Sequence, residues 1–251
     1  MAHNLIVQII KKYSQAMLLW IRVVFMYPLK KIDDSMSQDY DEYWKVKRGR
    51  AVGVLSSWQK ERAEFIYKRI VNEENVSVGD IGCGEGSILK YLQENLYISR
   101  AIGYDNSDVA LQKAMAIDVE VRRFDINELA DYRNLEVVDY YLILEVLEHT
   151  AHAEKLLRAA YHSAGKGVFF SFPNSGYFTY RLRLLFGKFP LQWRVFPNEH
   201  LRFWTFTDTI WWMKALGYND YKIKAYKGIP FLNRILPRLF AAALIIYIPK
   251  K

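Results

Sequence analysis

Three groups of residues in this chain have the types and spacing to do chemistry. Asp80-Ile81-Gly82-Cys83-Gly84-Glu85-Gly86 ends an apolar run with a carboxylate and then sets glycine at every second position, a turn tight enough to bring backbone against a nucleoside cofactor. The dinucleotide fingerprint, G-x-G-x-x-G, would want glycine at position 87, where the chain has Ser87. In that fingerprint the third glycine draws the helix close and sets a pyrophosphate over its N-terminus. The tighter spacing suits a cofactor without phosphates and disfavours a nicotinamide dehydrogenase. Asp105, followed by Asn106, and Asp125, followed by Ile126, each close a further apolar stretch. Glu145-Val146-Leu147-Glu148-His149 and His200 supply carboxylates and imidazoles, groups that can take a proton from an acceptor hydroxyl.

Strand ends must hold these groups. Apolar runs at 76–80, 101–105, 119–124, 137–143 and 167–173 read as strands, separated by helix-length segments that include helices at 57–72 and 87–94. A helix over 208–215 leads to a sixth strand at 217–226. In the run 239–248, Ile245, Ile246, Tyr247 and Ile248 favour a buried last strand, uninterrupted by Pro or Gly, over a membrane span. Alternating strands and helices predict a Rossmann-like α/β sheet, with ligands at the carboxyl ends of its strands. At 251 residues and 51% hydrophobic content the chain is ample for one core. The single cysteine, Cys83, excludes an intramolecular disulfide, points to a reducing cytoplasm and reads as small apolar filler beside the cofactor. His152 and His162 read as solvated helix residues.

From Val76 onward, the order of glycine turn, two strand-end acids and two more strands resembles the class I S-adenosylmethionine (SAM) methyltransferases. The resemblance implies a seven-stranded sheet whose last strand is antiparallel and inserted between the fifth and sixth. It also implies SAM as cofactor: the methionine half beside Asp80, Gly82, Cys83, Gly84 and Gly86, the ribose on Asp105 with Asn106, the adenine at Asp125 and Ile126, and Glu145 bordering the methionine end. The Glu145, Glu148, His149 run is similar to the E-x-x-E-H motif of ubiquinone-biosynthesis O-methyltransferases and small-RNA 2′-O-methyltransferases, which hold a divalent ion, with His200 as a fourth ligand here. The same run occurs in class I methyltransferases without metal, where His149 would be a structural residue or a general base. His149, Glu148 and His200 are therefore the catalytic candidates, and no metal is assigned. Ser171-Phe172-Pro173-Asn174, 181–188 and 200–205 look like MetW-type methyltransferases and their relatives in bacterial surface-polysaccharide gene clusters, although MetW proper lacks the E-x-x-E-H run. Methyl transfer to a small-molecule or cell-envelope glycan or lipid-precursor acceptor, at oxygen, follows from this resemblance, with the basic, aromatic insert at 176–205 as a lid. A non-catalytic SAM-binding partner of a biosynthetic enzyme is the alternative.

The net charge of +8 belongs to the ends. Residues 1–31 and those after Asp220 hold 12 of the 35 basic side chains and no acid, leaving 23 basic against 27 acidic residues between them. Residues 13–29 are apolar, broken by Arg22 and flanked by lysine pairs: too short to span a bilayer, but suited to lie on an anionic membrane surface, or to pack on the domain or on a second subunit as in a homodimer. An acidic, polar linker at 32–43 would join this helix to a catalytic domain over 44–251. Positive charge outside the core argues against a nucleic-acid partner and so against an RNA methyltransferase. The expected location is cytoplasmic, peripheral at the inner membrane face.

Overall fold

The computed structural model describes residues 40–46, 52–189 and 200–250. The expected N-terminal helix, most of the acidic linker and the middle of the lid insert lie outside the described residues. Seven strands, β1 (Val76–Ile81), β2 (Ile98–Asp105), β3 (Glu120–Arg123), β4 (Val138–Leu144), β5 (Ala164–Pro173), β6 (Lys222–Tyr226) and β7 (Ala243–Pro249), form one sheet in the order β3-β2-β1-β4-β5-β7-β6. β7 pairs antiparallel with both β5 and β6, as expected, and the β1–β2, β1–β4, β2–β3 and β4–β5 pairs are parallel. Strand order reverses between β1 and β4, which opens a crevice at their carboxyl ends.

The central strands are buried on both faces, so they read as continuous apolar runs. Along β4 the side chains alternate: Tyr141 and Ile143 join one core cluster, Tyr140, Leu142 and Leu144 the other. The second cluster receives Phe65, Ile66 and Ile70 from α2 (Ser57–Ile70), and Ile88, Leu89 and Leu92 from α3 (Ser87–Asn95). α2 begins with a capping box in which the Ser56 and Gln59 side chains satisfy each other's backbone N–H groups. α4 (Asp108–Met115) follows β2, and α5 (Ala153–Ser163) packs under β4 and β5. α6 (Phe178–Leu185) opens the lid insert, and α7 (Phe206–Ala215) carries Trp212 and Met213 into the first cluster.

Three expectations change. The sixth strand starts at Lys222, because Gly217, at φ 88°, turns the chain after α7. The last strand starts at Ala243, because Pro237 opens a helical turn, α9 (Pro237–Phe240), immediately after α8 (Leu232–Ile235). Tyr40 to Tyr43, read as the end of a linker, belong to a helix, α1 (Tyr40–Val46), that lies against α4. Among the described residues no helix is long and apolar enough to cross a membrane.

Gly103 of β2 makes room for the glycine turn: a Cβ there would lie 2.6 Å from Cys83 Sγ. Gly103→Ala is expected to lower stability by about 1–3 kcal/mol through overpacking. Cys83→Ala should restore most of that loss, read as coupling in a double-mutant cycle of denaturant unfolding.

Candidate cofactor and acceptor site

The glycine turn spends its own backbone donors. Gly82 and Cys83 N–H both donate to the Tyr104 carbonyl (2.7 and 3.1 Å), Gly84 N–H to Asp105 Oδ2 (2.9 Å) and Gly86 N–H to the Cys83 carbonyl (3.1 Å). A pyrophosphate would need such donors free. The turn therefore presents a close backbone surface instead of an anion cradle. Gly82, Gly84 and Gly86 all have positive φ, and a Cβ on Gly84 would strike the Trp44 indole at 2.5 Å.

Asp105 ends β2, almost wholly buried, and Ser107 N–H donates to its Oδ1 (3.0 Å). Burial pushes its carboxyl up, against the backbone donors of Ser107, Gly84 and Asn106, which pull it down. Asp80, 3% exposed near the end of β1, is less well compensated: its Oδ1 has no hydrogen-bond partner among the described residues. Burial raises its pKa to about 8, with Asp105 adding to the rise and Arg62 opposing it. Burial also pushes the Cys83 thiol well up, which leaves it inert filler beneath the turn.

These groups meet at a cleft of about 620 Å³, within the range of small-molecule sites. Of the candidates, Asp80, Gly82, Cys83, Gly84, Asp105, Asn106, Ile126, Glu145 and His149 line it. Asp125 is turned to its own loop, where Asn127 N–H donates to its Oδ1 (2.9 Å), and Phe124, Ile126 and Asn127 form the wall there. Gly86 caps α3, away from the lining.

Arg62, Trp44 and Asp41 are the residues that sequence reasoning missed. Arg62 comes from α2, and its buried guanidinium pairs with Glu145 Oε1 at 3.2 Å. Glu145 Oε1 also accepts from Ser171 Oγ (2.9 Å) and from the Tyr226 hydroxyl (3.4 Å). Glu145 itself holds φ at 59°, a strained conformation at the carboxyl end of β4 that these partners over-determine. Trp44 and Tyr43, with Tyr40, form one side of the cleft from α1. Asp41 anchors that helix by accepting from Ser107 Oγ (2.5 Å) and Val109 N–H (3.2 Å), bonds that hold its pKa down.

Beyond Glu145 the chain makes a short 3₁₀ turn, Leu147–His149. The buried Glu148 accepts Leu201 and Arg202 N–H at its carbonyl (2.7 and 3.2 Å), and this backbone clasp sets His200 beside His149, ring centroids 4.6 Å apart and nearly perpendicular. Burial, then the neighbouring His149, depress the His200 pKa to about 3, so the ring is neutral. Glu148, His149 and His200 each place one ligand atom within 4.8 Å of the others, a set of one oxygen and two nitrogens that could hold a divalent ion. Glu145 is engaged by Arg62 and stands outside this set.

Strand order, the antiparallel β7 and the acid-bearing glycine turn define the fold of class I SAM-dependent methyltransferases. The family model for "Methionine biosynthesis protein MetW" matches residues 62–226, and the chain belongs to that family. No curated protein matches the sequence significantly. Among solved structures it is similar to the small RNA methyltransferase HEN1, at 24% identity and TM-score 0.57 over 76% of this chain and 25% of that one, so it spans about a quarter of HEN1. It is also similar to a SAM-dependent methyltransferase from Archaeoglobus fulgidus (16% identity, TM-score 0.55, 76% of this chain and 94% of that one). Magnesium protoporphyrin IX methyltransferase from Synechocystis PCC 6803, solved with bound SAH, matches over 97% of this chain and 99% of that one (18% identity, TM-score 0.54). These likenesses concern the fold.

Asp80 is ordinarily a carboxyl of pKa 3.8 but is held near 8 when folded, so between those values the folded chain keeps a proton that the unfolded chain releases. Stability of the ligand-free protein should fall as pH rises from about 4 to about 8 and level off above it. Asp80→Asn should gain on the wild type across that window, by thermal unfolding at a series of pH values. A constant difference would mean that Asp80 is ionised throughout.

Proposed function

We propose that this chain is a SAM-dependent methyltransferase acting on a hydroxyl of a small-molecule or cell-envelope glycan or lipid-precursor acceptor. The observation that carries this reading is that His149 lines the same cleft as Asp80, Asp105 and the glycine turn. SAM, when bound, supplies a methyl already activated on a sulfonium. The remaining tasks fall to the chain: hold the ribose at Asp105, offer the unpaired Asp80 Oδ1 to a cation, align the acceptor and take its proton.

An orphaned, desolvated carboxyl beside a second acid fits a ligand that brings positive charge. Asp105 already accepts Gly84 and Ser107 N–H, and its remaining lone pairs suit a pair of ribose hydroxyls. Phe124, Ile126 and Asn127 offer two apolar walls and a polar edge to a nucleobase, while Trp44 and the tyrosines of α1 line the cleft from another element. His149 is the residue placed to accept the acceptor's proton, with His200 and Glu148 positioning its ring. In the alternative in which those three residues hold a divalent ion, His149 would be a ligand instead of the base, and the ion would lower the pKa of the acceptor hydroxyl.

A second reading, a non-catalytic SAM-binding partner, is favoured by the family match, whose description names a biosynthetic pathway and no reaction. Transfer of labelled methyl from SAM to cell-envelope extracts separates the two. His149→Ala should cut transfer by about 10²- to 10⁴-fold while leaving SAM affinity unchanged. Equal labelling by wild type and variant would remove His149 from the chemistry, and no labelling by either would favour the partner reading.

A further inference from the structure

Away from the cleft, large apolar side chains stand in solvent on two adjoining elements. At the end of α6, Leu184, Leu185 and Phe186 are 55%, 76% and 53% exposed, and around α8, Phe231, Ile235 and Leu236 are 70%, 56% and 53% exposed. Single exposed apolar residues are ordinary, whereas clusters on neighbouring elements mark interaction surfaces. The two elements are joined through α9, which packs on α8 and meets α6: Phe178 of α6 lies on Phe240 of α9, ring centroids 5.6 Å apart, and Arg181 donates to the Arg238 carbonyl at 3.5 Å.

The same two stretches of chain, 176–189 and 221–250, contain nine lysines and arginines and no aspartate or glutamate. Glu61 of α2 takes Lys224 and Lys227 (3.6 and 3.3 Å), but Arg181 is held by the Gly176 and Arg238 carbonyls and Arg238 lies over the Phe206 ring. These contacts leave the positive charge of both arginines uncancelled. We propose that α6 together with the α8–α9 turn forms a docking face for an anionic lipid bilayer.

Two features select this occupant. Leucines and isoleucine interleaved with basic residues suit insertion at the headgroup boundary, with the charges on anionic lipid. Twofold pairing with a second copy would set these basic stretches against themselves, like charge on like. The face is built from residues other than 1–31, and the proposal rests on surface composition, not on methyl transfer.

Flotation of the full chain with phosphatidylcholine vesicles, with and without phosphatidylglycerol, tests it. The wild type should bind the mixed vesicles and not the neutral ones. Leu185→Glu with Ile235→Glu, and separately Arg234→Glu with Arg238→Glu, should each weaken binding about tenfold or more, with unfolding temperatures unchanged because all four side chains are exposed. Equal binding to both vesicle types would overturn the proposal, as would undiminished binding by both double variants, which would place membrane contact elsewhere, such as in 1–31. Loss of a sedimenting dimer in the variants would also overturn it, by showing that the face covers a second copy. Each readout is made without cofactor, so failure here leaves the methyltransferase reading untouched.

Discussion

One buried carboxylate, Asp105, ties together the loops at the carboxyl edge of the sheet. Its two oxygens accept the N–H groups of Gly84 and Ser107, so the glycine turn after β1 and the start of α4 share one acceptor. Ser107 passes the tether on, since its hydroxyl binds Asp41 and so holds α1, with Trp44, at the cleft. Bonds to a charged acceptor in a desolvated setting are strong, yet burial still outweighs them, and the carboxyl is pushed up. The site is thus built around acids in an environment that favours their neutral form. A ligand bringing hydroxyl donors and positive charge would relieve that penalty, which links the strain of the ligand-free fold to what the cleft is built to hold.

The two ends of the cleft are organised differently. At the cofactor end, parts adjacent in sequence do the work, with glycines giving close backbone approach and each strand ending in an acid. At the acceptor end, the geometry depends on long-range clasps. Arg62, Ser171 and Tyr226 converge on Glu145, and the Glu148 carbonyl holds the backbone that carries His200. Engagement of Glu145 by Arg62 separates it from Glu148 and His149, although all three stand in one short motif. The motif therefore divides into a carboxylate that braces the cleft and a Glu–His–His set beside it.

This difference explains what could be read from the sequence. β1, β2, β4 and β5 were legible from the apolar runs that buried parallel strands carry, the edge strand β3 from the buried Val119 and Phe124 that flank it, and the antiparallel place of β7 followed from family resemblance. The start of β7 was not, since nothing from Leu239 to Ala242 marks a helical turn except Pro237 ahead of it. α1 was hidden because acidic, polar residues such as Asp41 and Glu42 look like a linker until Ser107 and Val109 supply partners for Asp41. The bond between Arg62 and Tyr226 crosses 164 positions, a separation that no local pattern can report. Asp125 was recognisable as a strand-end acid, but whether its carboxylate faces the cleft or its own turn depends on loop geometry.

The central claim is that this glycine turn serves a nucleoside cofactor without phosphates, and direct competition of ligands tests it. Calorimetric titration of the full chain with SAM and, separately, with NAD is predicted to show one-to-one binding of SAM and none of NAD, because the amides of Gly82, Cys83, Gly84 and Gly86 are already spent within the fold. Binding of NAD with no heat from SAM would contradict the account.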